Sequence, residues 1–412
     1  MNPVIVIPSY WARDDEPTDV GEIGVYDHAT PVDKPLPELE TCLSSLDLCR
    51  GVLRVVILLV APPSCEASAR ARVEGICRMH SNLNPLVIGR EEGALVSRVV
   101  GELAPALQGE PVSLRGYGAI RNMGLAVAAV LGHDVVVFLD DDEVILDPDF
   151  LVDAVYGLGQ KNRQGIPILA KTGYFLDRDD SPYADPSKPR WCDRHWSKRD
   201  EFNQAMHRAL TGTRVSRASY ICGGCFAVSA QAFTRVAFDP QITRGEDLDY
   251  LLNLRMNAID VWFDNQWRVK HLPPAIPSRA SRFLQDVYRW AYERKKLEVC
   301  NATIGLRRVT SEALSPYPGP WMTADVDRRA LLTAIRRAIV GPERGAYLRI
   351  ATRGRLEARA WAEGVARGYL QLQTFWPRIM VTLWDNKLLA RRLLKMGTAR
   401  LTWASVSQGD ER

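Results

Sequence analysis

Residues 134–143 read Asp134-Val135-Val136-Val137-Phe138-Leu139-Asp140-Asp141-Asp142-Glu143. An unbroken apolar run of this length, rich in β-branched residues, is the pattern of a strand buried on both faces. It ends abruptly in consecutive carboxylates. Clustered carboxylates at the end of a buried strand repel one another and are costly to desolvate, so a cation would stabilise them. Hard oxygen ligands suit Mg²⁺ or Mn²⁺, ions that commonly bridge protein carboxylates and substrate phosphates. A solvated acidic loop would look the same in sequence, and both readings stand at this point.

Working outward, residues 117–131 have helical spacing and precede the strand. Residues 4–7 form a short β-branched run that enters Pro8-Ser9-Tyr10. Further strands are expected at 53–60 and 85–88, and helices at 39–49 and 67–80. Residues 12–37 read as a long polar loop. This alternation predicts an α/β fold with a mostly parallel central sheet. Ligands bind such sheets at the carboxyl ends of the strands, where Pro8-Ser9-Tyr10 and Asp140-Asp141-Asp142 both fall.

Downstream, residues 173–216 carry much Asp, Arg and Trp with little periodicity, which reads as an insertion over the site. Strands are expected at 220–228, around Gly223-Gly224, and at 261–263 and 267–269; helices are expected at 246–256 and 278–300. Beyond about residue 300 the pattern changes to Arg-rich helices at 330–339, 356–375 and 378–396. The expected organisation is a catalytic domain over 1–300 and a basic helical C-terminal region over 301–412.

Composition narrows the function classes. The chain has 412 residues, 46% hydrophobic and 25% charged, which excludes disordered and low-complexity classes. A net charge of +4 argues against general nucleic-acid binding. The charge is unevenly placed: residues 327–412 hold 17 Lys and Arg against 7 Asp and Glu, so the rest of the chain is net acidic. Eight cysteines lie without framework spacing, which fits reduced thiols in a cytoplasm. Cys222 and Cys225 form a lone CxxC with no second ligand pair. The N-terminus lacks a basic region before its first apolar run, and the apolar runs are too short to span a bilayer. The expected location is cytoplasmic, at most peripheral to the inner face of the membrane.

Three further groups bear chemistry. Gly245-Glu246-Asp247 opens a helix, where acids also complement the dipole. Val269-Lys270-His271 ends a strand, and neutral imidazole accepts Mn²⁺. Ala119-Ile120-Arg121-Asn122-Met123-Gly124 carries an arginine that faces either a phosphate or solvent.

The order of these motifs resembles the GT-A glycosyltransferases, near glycosyltransferase family 2, over residues 3–300. An apolar strand enters Pro-Ser-Tyr, then come Arg-Asn-x-Gly-Leu, Asp-x-Asp, Gly-Gly, Glu-Asp and a strand ending in His. The histidine is similar to that of the mannosylglycerate and glucosyl-phosphoglycerate synthases. Asp286-Val-Tyr-Arg289-Trp290 is similar to the Gln-x-x-Arg-Trp of processive synthases, but Asp286 replaces Gln and no spanning helices follow. The resemblance implies a non-processive transfer of a hexose from a UDP- or GDP-sugar to a hydroxyl on a glycan, small-molecule or lipid-linked acceptor, with Mn²⁺ or Mg²⁺ as cofactor. It implies that Pro8, Ser9 and Tyr10 hold the nucleobase and that Arg121 lies near the donor phosphates. Asp140 would contact the nucleotide ribose or the metal and Asp141 the donor, with Asp142 and His271 as metal ligands. Gly223 and Gly224 would let the backbone approach the sugar. Glu246 and Asp247 would face the donor sugar and the acceptor hydroxyl, with Asp247 as base if the reaction inverts. Trp191, Trp196, Arg289 and Trp290 are acceptor candidates.

A sugar-nucleotide nucleotidyltransferase would need a Gly-rich phosphate loop after the first strand, which Pro8-Ser9-Tyr10-Trp11 is not. A non-catalytic sugar-binding scaffold would not need Asp140, Asp142, Asp247 and His271 together. In the C-terminal region, Met380, Leu383, Trp384 and Leu388 share one helix face. That stripe has three candidate occupants: the catalytic domain, a second copy in a homodimer, or an anionic lipid surface.

Overall fold

Alternate residues of the first strand face opposite ways and both faces are buried. Val4 and Val6 join one apolar core, while Ile5 and Ile7 join the other. The neighbouring strands repeat this: Val56, Leu58, Val136 and Phe138 lie on the first side, Val55, Ile57, Val135 and Val137 on the second. This two-sided burial is why these strands are continuously apolar in sequence. The computed structural model describes residues 1–13, 24, 29–107, 109–274 and 278–406, with side chains up to 397. The loop expected at 12–37 lies largely outside the described residues.

The strands are β1 (Pro3–Ala12), β2 (Thr30–Pro31), β3 (Val55–Val60), β4 (Pro85–Ile88), β5 (Val135–Phe138), β6 (Glu143–Ile145), β7 (Ala170–Leu176), β8 (Val215–Arg217), β9 (Phe226–Ser229) and β10 (Val261–His271). They form one sheet in the order β4-β3-β1-β5-β9-β7-β10-β6, with β2 on β1 and β8 on β10. β4, β3, β1 and β5 run parallel, and β7 and β10 run parallel to each other. β9 is antiparallel to both β5 and β7, and β6 is antiparallel to β10. The expected α/β class with a mostly parallel sheet and a helical C-terminal region is what the chain adopts.

One side of the sheet is covered by α1 (Glu38–Leu46), α2 (Glu66–Met79) and α5 (Phe150–Val155). The other side holds α3 (Arg90–Leu103), the wholly buried α4 (Gly118–Val130), α8 (Glu246–Met256) and α9 (Arg279–Asn301). Two short or half-buried helices, α6 (Arg199–Leu210) and α7 (Ala230–Phe233), fill connections.

Five expectations change, among them the helix expected at 356–375, which breaks into helices over Arg355–Val365 and Gly368–Leu383. The two strands expected at 261–263 and 267–269 are one strand, β10, whose register shifts between Phe263 and Arg268; a β-bulge hid its continuity. The strand expected at 220–228 begins only at Phe226, because Gly223-Gly224 turns the chain before it. The insertion expected at 173–216 is shorter, since Gly173–Leu176 belongs to central strand β7. The helix expected at 378–396 is two helices.

Those two belong to a C-terminal set: α10 (Asp325–Val340), α11 (Arg344–Arg349), α12 (Arg355–Val365), α13 (Gly368–Leu383) and α14 (Lys387–Val406). The break falls at Asp385, held at φ +49° while its N–H donates to Ala129 O at 2.8 Å. Met380 and Leu383 are buried and their helix packs on α4, whereas Trp384 and Leu388 of the same stripe are 38% and 65% exposed. The Trp376 indole donates to Phe233 O at 2.7 Å. α14 lies along edge strand β4 and protects it.

Candidate active site

β1, β5 and β10 all point their carboxyl ends the same way, and antiparallel β9 begins where they end. That topology brings Ser9, Asp140–Asp142, Gly223-Gly224 and His271 to one edge of the sheet. The start of α8 joins them through Arg121 of α4. The buried Arg121 guanidinium donates from Nη2 to Asp140 Oδ1 at 2.7 Å and from Nε to Glu246 Oε1 at 3.1 Å. Burial alone would ease its proton off; the charges of Asp140 and Glu246 outweigh that and hold it more firmly protonated than usual. Its Nη1 is buried without an acceptor among the described residues. An orphaned buried donor is costly, and an anionic oxygen would satisfy it.

The acidic run divides into distinct roles. Asp141 is buried and accepts the Ser9 hydroxyl at 2.7 Å, while Ser9 accepts the Trp11 indole N–H at 2.8 Å. Burial and then the charge of Asp142 push its carboxyl well above the usual range. Glu143 is raised likewise by burial and by Asp140 and Asp142, and its Oε2 accepts the Asp140 N–H at 3.1 Å. Asp142 Oδ2 lies 3.3 Å from His271 Nε2. Burial would lower the His271 pKa, but the bond to Asp142 and the charges of Asp142 and Asp140 raise it overall.

Asp142 and His271 offer one hard oxygen and one imidazole nitrogen, a donor pair that suits Mn²⁺ or Mg²⁺. Two protein ligands leave coordination positions for phosphate oxygens and water. Among the described residues no group of three His, Cys, Asp or Glu forms a complete cage.

The glycines are fixed by crowding. A Cβ on Gly224 would sit 1.9 Å from Glu143 Oε2, so a side chain there requires that carboxylate to move. A Cβ on Gly223 would meet Arg121 Nη2 and Asp247 Cβ, each at 3.3 Å. Gly245 caps α8 at φ +68°, and a Cβ there would meet the Arg289 guanidinium at 2.0 Å. Just after it, Glu246 is buried beside Arg121; burial raises its pKa against the pull of that guanidinium. Asp247 is half-buried, and its Oδ1 accepts the Leu248 N–H at 2.7 Å. Tyr10 is half-buried; burial and then neighbouring Tyr117 and Glu246 raise its pKa. Pro8 is buried within β1.

The acceptor candidates separate. Arg289 packs under Gly245 and donates to Glu293 Oε1 at 3.2 Å. Trp290 is fully buried, with its ring 5.5 Å from Trp321. Trp196 is also buried, edge-on to Phe283 and Trp321. Both indoles belong to the core behind the site. Trp191 is 53% exposed, with Arg336 5.3 Å over its ring. Lys270 pairs with Asp180 at 2.7 Å.

Two features escaped the sequence, and the lone CxxC takes its plainer reading. Glu143 braces Gly224, although it was visible as the fourth acid of the run. Lys198 and Arg244 each bind Asp286 at 3.2 Å, tying the 177–214 segment to α9. Cys222 and Cys225 are buried thiols whose pKa values burial pushes well up, which disfavours the thiolate that metal binding needs.

Neither a protein-family model nor a curated protein matches the chain. Among solved structures it is similar to a mannosyltransferase from Pyrobaculum calidifontis in complex with GDP-Man and Mn²⁺, at 14% identity and a TM-score of 0.46, over 93% of this chain and 87% of that one. It is similar to S. aureus TarS at 12% identity and a TM-score of 0.38, over 89% of this chain and 55% of that one. It is also similar to GalNAc-T7 with UDP, GalNAc and Mn²⁺ at 13% identity and a TM-score of 0.35, over 72% of this chain and 51% of that one.

Proposed function

We propose that this chain is a GT-A glycosyltransferase that moves a hexose from a UDP- or GDP-sugar to a hydroxyl acceptor, one transfer at a time, with Mn²⁺ or Mg²⁺. The observation that carries this reading is the buried Arg121, held by Asp140 and Glu246 with one N–H left over, beside the Asp142–His271 pair. Together these are a cation, a metal-ligand pair and an unsatisfied donor, which is what a diphosphate leaving group requires.

Breaking the anomeric C–O bond puts negative charge on the nucleoside diphosphate. A bound divalent ion supplies Lewis-acid stabilisation of that charge. Asp142 and His271 would hold it. Arg121 adds a fixed positive charge that needs no reorganisation as the bond breaks. The sugar carbon becomes oxocarbenium-like, so a nearby carboxylate favours the transition state. Asp247 takes the acceptor proton in an inverting reaction; its Oδ2 accepts no hydrogen bond among the described residues. Ser9, fixed between Trp11 and Asp141, shapes the nucleobase loop.

The test is incubation with UDP- and GDP-hexoses plus Mn²⁺ and no acceptor. Slow release of free nucleoside diphosphate, lost in EDTA, supports the reading. Pyrophosphate chemistry would point to a nucleotidyltransferase instead, and binding without turnover to a scaffold.

A further inference from the structure

The helical run 344–365 has two unlike faces. Tyr347, Ile350, Ala351, Ala358 and Ala362 are buried, mostly small residues that let it lie close on α9. Its outer face carries Arg344, Arg349, Arg353 and Arg359, all exposed, and Arg367 follows just beyond its end. Leu348 and Leu356 stand between them, 53% and 52% exposed. The end of α10, which packs beside α11, adds Ile339 and Val340 at 60% and 55%. Among the described residues Arg344, Arg349, Arg359 and Arg367 have no ion pair, and Arg353 has only Glu357 at 3.8 Å. Glu357 and Glu363 are the acids on the same stretch.

We propose that this arginine-and-aliphatic face docks on an anionic lipid surface. Exposed arginines without carboxylate partners are complementary to acidic headgroups, and each contributes to binding near such a surface. The aliphatic side chains between them gain only if they leave water, which an interfacial helix allows and a solvated polyanion does not. A two-fold dimer through this face would bring like charges together, which opposes it. The start of the face is tied to the beginning of α9, which follows His271 in the chain. Glu343, next to Arg344, accepts the Ser278 hydroxyl at 2.6 Å and the Ala280 N–H at 3.1 Å. Ser278 is seven residues after His271, so at most about 25 Å of chain separates them.

The test is flotation of the full chain with two vesicle types: phosphatidylcholine alone, and phosphatidylcholine with an equal part of phosphatidylglycerol. Binding to the second only, weakened by added salt, is expected. Arg349→Glu with Arg353→Glu should weaken it by about tenfold or more. Leu348→Ser with Ile339→Ser should lower the binding that survives high salt. The control Arg50→Glu with Arg163→Glu makes the same charge change on the exposed catalytic part and should leave binding intact. Thermal melts check that each variant is folded. No binding to the acidic vesicles overturns the proposal, as does an equal loss in the control. A dimer in light scattering that Leu348→Ser dissociates, without any lipid binding, also overturns it.

Discussion

Arg121 donates to Asp140 and Glu246 from one buried guanidinium, so Arg121→Met leaves two carboxylates without their counter-charge. Breaking a buried pair in this way costs about 3–5 kcal/mol, and a urea melt should read that loss together with loss of nucleotide binding. Arg121→Lys should not restore it, because one ammonium does not reproduce the two-pronged geometry. Asp247→Asn is expected to leave donor affinity nearly intact and to lower kcat by about two to four orders of magnitude. A fall in donor affinity alone would remove Asp247 from the base role. At this scale the sequence exposed the residue types but not their partners. Asp140, Asp141 and Asp142 look equivalent in a row, yet one binds Arg121, one Ser9 and one His271. Only the fold sets those partners.

At the scale of elements, the start of α8 depends on α9. Lys296 lies in a fully buried cluster with Asp239, Asp249 and Asn253, binding Asp239 Oδ2 and Asn253 Oδ1 at 2.9 Å each. Lys296→Met should cost about 3–5 kcal/mol in denaturant melts, since two buried carboxylates lose their cation. A second tie joins α9 to the 177–214 segment through Asp286. Burial would raise that carboxyl, but Lys198, Arg244 and Arg289 hold it far below the usual range. Because the folded-state pKa is depressed, its contribution is fully present above the unfolded value of about 3.9, begins to fall below it and is lost only as pH drops through the much lower folded value. The stability deficit of Asp286→Asn should therefore be constant from neutral pH down to about pH 5 and shrink steadily below about pH 4. The strands of the parallel core were legible because burial on both faces makes them uniformly apolar. β10 was split in the sequence reading because Asp264 and Gln266 interrupt the apolar run at a bulge. α3 left no expectation because Glu91, Glu92 and Arg98 dilute its apolar stripe.

For the whole molecule, an acidic sheet-bearing part and a basic helical part share one apolar core on one side of the sheet. No helix among the described residues is long and apolar enough to cross a membrane. The segment 177–214 carries exposed Trp191 near α10, and Trp191→Ala is expected to alter acceptor use while leaving donor hydrolysis unchanged. The C-terminal stripe at Met380 and Leu383 was legible as amphipathic, but sequence alone could not say what covers it. The fold covers those two residues with α4, and leaves Trp384, Leu388 and the arginine face of 344–367 to solvent. A diphosphate-binding centre at Asp142, His271 and Arg121 is the core of the proposed activity, and one measurement tests it directly. It is release of free nucleoside diphosphate from UDP- and GDP-hexoses by the full chain with Mn²⁺, compared with Asp142→Ala and with EDTA. The predicted result is turnover in the first case only, with Asp142→Ala still folded by thermal melt. Undiminished turnover in EDTA or in Asp142→Ala would contradict it.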